Sequence, residues 1–314
     1  MSHDRRQTQL VTKTDSLVVT GMSWSNGSPM VRIRRNKAPS TLEPLIGLTL
    51  KYSTDSDAKR HCVGHRPFRD GSTTWSDCDN TPLHNGRTCD RCAANDATFA
   101  SQLHHAHTKG KGELDASVSA HMDQPNHLYL AAFRDGSIKI GTSTAGRLET
   151  RLTEQGAWIA QIVANAADGF AVRSIEDRVT VELGLGQSVS IVRKLAGLID
   201  PEPDTQLDEE LAKWKSNIAR LINESGDSRL ETADSTWRSS NIDDPLFVGL
   251  RPYPLKVDAG SHDLEFLGAS GRVGVVTRPG ARDHFVIDLR RLYGVELTLG
   301  EVVPDELLLQ DSLF

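Results

Sequence analysis

The 314-residue sequence predicts an α+β fold: a ββαβα core, preceded by a cysteine-rich zinc knuckle and flanked by small β regions at both ends. Three observations carry that expectation. Residues 126–196 switch between strand-like and helix-like patterns in the order β, β, α, β, α. All four cysteines crowd into 56–125, a stretch too poor in aliphatic side chains to build a core of its own. Both ends carry short β-rich runs broken by Gly, Asn and Pro.

The elements follow in chain order. Over 1–55, SLVVTGMSW and PMVRIRR are strands around the turn SNGSP, and LIGLTLKYS adds an alternating strand. The region 56–125 is the knuckle, where His104, His105 and His107 read as a loop. Within 126–196, HLYLAAF and SIKIGTS form a hairpin around Arg134–Asp135–Gly136. GRLETRLTEQ has helical spacing, and Gly156 after it suits a left-handed helix cap. AWIAQIVANA reads as a buried strand. FAVRSIEDRVTVELGL places Ala171, Ile175, Val179 and Leu183 on one helical face. Region 197–245 opens with an amphipathic helix, its stripe running from Leu207 through Leu211, Trp214 and Ile218 to Ile222. The polar stretch SGDSRLETADSTWRSSNIDD after it reads as a linker. Trp214 and Trp237 are assigned to packing. Region 246–314 reads as a small β domain with Gly-rich turns.

Composition narrows the function classes. No run approaches the roughly 18–20 apolar residues of a membrane span, so no membrane partner is expected. The polar start MSHDRRQTQL has no apolar core of a secretory signal, which predicts a cytoplasmic protein. The formal net charge of −6 speaks against nucleic acid only as a sum. Residues 1–70 hold 12 Lys and Arg against 6 Asp and Glu; residues 196–245 hold 5 against 12. The basic run Arg32, Arg34, Arg35, Lys37 is either a phosphate-binding arm or a solvated strand face.

Cys62-Val63-Gly64-His65 and Cys89-Asp90-Arg91-Cys92 are close pairs of the kind that hold zinc, because a short turn aims two ligands at one ion. The expected structural Zn²⁺ ligands are Cys62, Cys78, Cys89 and Cys92, with His65 as the substitute for Cys78. Bound metal would supply the folding free energy that the missing core does not.

HLYLAAFRDGSIKIGTS followed by RLETRLTEQGA resembles the GIY-YIG nuclease superfamily, in the variant that reads KIG. More closely, it resembles an uncharacterised family with a cysteine-rich region before this hairpin. LIG at Leu45–Gly47, HLYLA at His127–Ala131, KIG at Lys139–Gly141, RLTEQGA at Arg151–Ala157 and SIE at Ser174–Glu176 carry the likeness, which spans roughly residues 41–300. The resemblance implies a sheet flanked by helices and a phosphodiesterase site. In that site Tyr129 would help deprotonate water, and Lys139 stands where the second tyrosine of the superfamily would be. Arg151, or Arg147 one turn earlier, would stabilise the phosphorus centre. Glu176 would hold a catalytic Mg²⁺ or Mn²⁺.

The expected function is therefore a zinc-stabilised, metal-dependent endonuclease acting on nucleic acid, DNA before RNA. Two alternatives stand beside it. One is a non-catalytic nucleic-acid-binding module that keeps a phosphate pocket. The other is a protein-interaction module using the acidic 196–245 segment.

Overall fold

Asn26 and Gly27 both take positive φ (49° and 75°), the backbone a two-residue hairpin loop requires. They join β1 (Ser16–Ser25) to β2 (Ser28–Arg35), in register from Ser25↔Ser28 to Leu17↔Arg35 with one irregularity near Gly21. The computed structural model describes residues 15–55, 60–66, 68–69, 72–79, 86–96, 106–109 and 111–306. It sets this hairpin in a nine-stranded sheet with β3 (Thr41–Pro44), β4 (Thr49–Thr54), β11 (Arg251–Pro252), β12 (Gly260–Ser270), β13 (Val273–Thr277), β14 (Phe285–Asp288) and β15 (Glu296–Leu299). The order is β11-β14-β13-β12-β4-β15-β1-β2-β3. Strand β15 runs antiparallel to both β1 and β4, so the β regions expected at the two ends of the chain build one sheet. Leu17, Ile33, Tyr52 and Phe266 are buried on it, and each such side chain contributes roughly 1.5–3 kcal/mol by leaving water.

Between these ends lies the second layer. Helix α2 (Ala116–Met122) leads into strands β7 (Asn126–Ala132) and β8 (Ile138–Thr144), which form the expected hairpin. Gly136 takes φ 80° in its turn, and the Asp135 carboxylate accepts the Ser137 N–H at 3.2 Å. Helix α3 (Leu148–Gln155) follows and ends at Gly156, whose φ of 68° is the left-handed cap read from the sequence. Next come β9 (Ile159–Ala166) and α4 (Gly169–Leu183), the latter started by Asp168, whose carboxylate accepts the Ala171 N–H at 2.8 Å. Helices α5 (Ile191–Ile199) and α6 (Asp204–Ser225) complete the cover.

The expected linker contains a strand. β10 (Leu230–Arg238) pairs antiparallel with β9, giving a four-stranded sheet in the order β10-β9-β7-β8. Its residues are mostly exposed, as on an edge strand, so no alternating apolar pattern announces it.

The two layers share a core: Leu128, Leu130, Ile140 and Ile159 from the smaller sheet pack in one cluster with Val273, Val275 and Val286 from the larger. Gly156 and Gly271 meet backbone to backbone at this junction. A Cβ on Gly156 would stand 3.0 Å from the Gly271 nitrogen.

Candidate functional site

The knuckle is fastened to the larger sheet. Arg60 donates to the carbonyls of Arg291 and Tyr293, both at 2.8 Å, and pairs with Asp258 at 2.9 Å. Arg34 of β2 donates to the Cys78 carbonyl at 2.8 Å, and the Ser40 N–H reaches Asp77 at 2.8 Å. His65 and Ser76 exchange both backbone hydrogen bonds. Residues 68–69 and 72–73 form the short ribbon of β5 (Phe68–Arg69) and β6 (Ser72–Thr73). Cys89 precedes a helical segment, α1 (90–96), and Cys92 lies in its first turn. That start follows bends at 86–88 rather than a strand, unlike the setting of a redox C-x-x-C.

These segments bring Cys62, Cys78, Cys89 and Cys92 together, their sulfurs all within 4.8 Å of one another. The Cys78 and Cys89 sulfurs are 3.8 Å apart. A tetrahedron with Zn–S bonds of about 2.3 Å has an edge of about 3.8 Å. The Cys89 N–H also points at the Cys62 sulfur, 3.2 Å away, as backbone donors do around metal-bound thiolates. Burial pushes the thiols of Cys62 and Cys92 up, so thiolates here need a cation beside them. The donor set thus fits a metal ion such as zinc. His65 is not among the four; its Nε2 lies 3.2 Å from the Asn95 amide, and Cys78 takes the place that spacing left open.

The second cluster lies where β7, β8, α3, α4 and α5 meet. Tyr129 is fully buried on β7, directly opposite Gly141 of β8. A Cβ at position 141 would stand 2.6 Å from the Tyr129 hydroxyl, so only glycine lets the ring lie across β8. Gln155 Nε2 donates to that hydroxyl at 3.0 Å. Burial pushes the Tyr129 phenol up, against the opposing pull of Arg151, which stands exposed one helical turn before Gln155.

Lys139 is 7% exposed and donates to the Gln187 carbonyl at 3.2 Å, its ammonium 5.8 Å from the centre of the Tyr129 ring. Burial first, then repulsion from Arg151 and Lys194, brings its pKa down to about 8. Lys194 on α5 donates to the Gln155 carbonyl at 2.7 Å, and burial likewise brings it to about 8.

Glu176 is 3% exposed and accepts from Arg173 Nη1 at 3.0 Å. Burial raises its pKa, with Arg173 and Lys139 opposing. A carboxylate so enclosed and already paired does not fit the several-oxygen shell a Mg²⁺ or Mn²⁺ ion demands. Among the described residues the four cysteines are the one group close enough together to hold a metal ion.

The structure therefore gathers Tyr129, Lys139, Arg151 and Glu176 into one neighbourhood, while Arg147 turns to Glu154 at 3.4 Å. The sequence reading missed Gln155, Lys194 and Arg173. Spacing could have flagged Gln155, since it is four residues after Arg151 and so on the same helical face. His107, read as loop, pairs with Asp177 at 2.8 Å, and Asp177 accepts from Gln187, the partner of Lys139. His104 and His105 lie outside the described residues. Of the basic run on β2, Arg35 pairs with Glu43 and Arg32 lies over the Trp75 ring. No helix among the described residues is long and apolar enough to cross a membrane.

A family model described as a protein of unknown function (DUF2797) matches residues 48–258. No curated protein and no solved structure matches the chain.

Proposed function

We propose that this chain, which belongs to the DUF2797 family, holds nucleic acid by a backbone phosphate at the Tyr129–Lys139–Arg151 centre, with zinc on its four cysteines. One observation carries the reading: Lys139, Arg151, Lys194 and Arg173 converge on a site whose one buried carboxylate, Glu176, is already paired. Such a centre has positive charge to spare for an anion. The resemblance to GIY-YIG nucleases supplies the substrate class. The order β7, β8, α3, β9, α4 agrees with it.

Binding of a labelled single- or double-stranded oligonucleotide tests the proposal. Affinity should fall steeply with salt, and Arg151→Ala should weaken it about tenfold, as expected for loss of one charge-assisted contact. Salt-independent binding, or none, refutes it.

Hydrolysis of the held phosphodiester is a second reading, favoured by Lys139. An amine of pKa about 8 is partly neutral near physiological pH, so it is able to take a proton from water beside Tyr129. A cleavage assay run with and without divalent cations separates the two readings: cleavage lost in Lys139→Met while oligonucleotide binding persists supports hydrolysis. Binding without cleavage leaves the phosphate-holding reading alone.

A further inference from the structure

A cavity of about 360 Å³ lies between β1, the knuckle and the turn from β12 to β13; Trp24, His65, Arg66, Trp75, Arg272 and Tyr293 are among its lining residues. That volume falls within the range of small-ligand sites. The cavity adjoins the centre described above, because Glu154 of α3 also lines it.

Its chemistry has two parts. Three aromatic rings, with Met22 beside them, form apolar walls. Two exposed guanidinium groups, Arg66 and Arg272, form no ion pair among the described residues; Arg66 lies 5.7 Å over the Trp75 ring. Of the two carboxylates in the lining, Asp96 accepts the Arg66 backbone N–H at 2.9 Å within the cavity wall, and Glu154 takes Arg147.

We propose that this cavity binds one nucleotide, its base among the rings and its phosphate on Arg66 and Arg272. Each alternative leaves part of the lining unexplained. A purely apolar ligand would leave the two guanidinium groups unpaired. Inorganic phosphate would make no use of the rings. A base has flat faces that stack on aromatic and guanidinium planes, and an edge that donates and accepts hydrogen bonds. The same chemistry comes from a free mononucleotide or from one unstacked residue of a polynucleotide. The second source rests on the nucleic-acid reading above; the first does not.

The test titrates the full metal-loaded chain, without added Mg²⁺, with AMP, GMP, CMP and UMP, following tryptophan fluorescence. Adenosine and inorganic phosphate serve as controls, and a mixed-sequence single-stranded DNA decamer is followed by anisotropy. Saturable quenching by at least one mononucleotide is expected, with phosphate and the nucleoside each binding at least about tenfold more weakly. Arg272→Ala, at an exposed position, should weaken binding about tenfold. Mononucleotide binding without decamer binding supports the cavity with a free nucleotide as ligand, and refutes the nucleic-acid reading. Decamer binding weakened by both Arg151→Ala and Arg272→Ala, with mononucleotides competing, supports the polynucleotide source. No saturable quenching by any mononucleotide, with decamer binding either absent or unchanged by Arg272→Ala, overturns the proposal.

Discussion

The knuckle and the ββαβα core solve the same problem with different materials. The core buries Leu128, Leu130, Ile140 and Ile159 against α4 and α6, and is held by apolar area. The knuckle's own buried cluster consists of cysteines, and what surrounds it is hydrogen bonds to the larger sheet. One region is held by carbon packing; the other gathers four sulfurs that fit a metal ion such as zinc. The two should therefore fail independently, under different insults.

The strongest way to break that contrast is to remove the metal. Chelation, or Cys92→Ser, should release the knuckle: amide protection at 60–66 and 86–96 should collapse while that of β7–β9 persists, as read by hydrogen exchange. Elemental analysis of the intact chain should find one zinc per molecule. Equal loss of protection in both regions would show that they are one cooperative unit.

The converse insult is Leu130→Ala, a truncation at a fully buried site. It should cost about 2–5 kcal/mol in urea unfolding and leave the zinc content unchanged. Gly141→Ala is a milder probe on the same strand pair. Its methyl would collide with the Tyr129 ring, so a loss of about 1–3 kcal/mol is expected, with a shift in the Tyr129 resonance and weaker oligonucleotide binding.

The smallest effect is a gain. Burial disfavours the charge of folded Lys139 and brings its pKa down to about 8, against 10.5 for the free side chain. The folded pKa is the lower one. The unfolded chain therefore binds more protons between those values, and stability rises with pH through that window. Below about pH 8 the whole penalty stands. Lys139→Met should thus stabilise the protein at pH 7 by about 1–3 kcal/mol, an advantage that fades by pH 10.5. Denaturation midpoints across that range check it; Lys194, shifted the same way, leaves a residual slope.

What was legible in the sequence follows from locality. The β7–β8 hairpin, the Gly156 cap and the buried faces of α4 and α6 are encoded within a few residues each, and the chain forms them where the patterns lie. The four cysteines were legible as a candidate metal set because Cys89–Cys92 and Cys62–His65 are close pairs with Cys78 between them; setting His65 aside needed three dimensions. β10 was hidden because an edge strand with exposed residues carries no period. The union of β1, β4 and β15 was hidden because their pairing spans most of the chain. At the Tyr129 centre, motif positions were readable, but Lys194 and Gln155 enter through side-chain reach across elements.

Gly156 and Gly271 have a consequence for how this chain tolerates change. A side chain at either position would drive a wedge between the two sheets, since a Cβ on Gly271 would lie 2.6 Å from the Gly156 nitrogen. The wedge would act beside Gly271's own wall of the cavity. The spacing of the two sheets is thus gauged by two residues with no side chain. Substitutions there should be non-additive, because once the first has pried the seam open the second has less left to disturb.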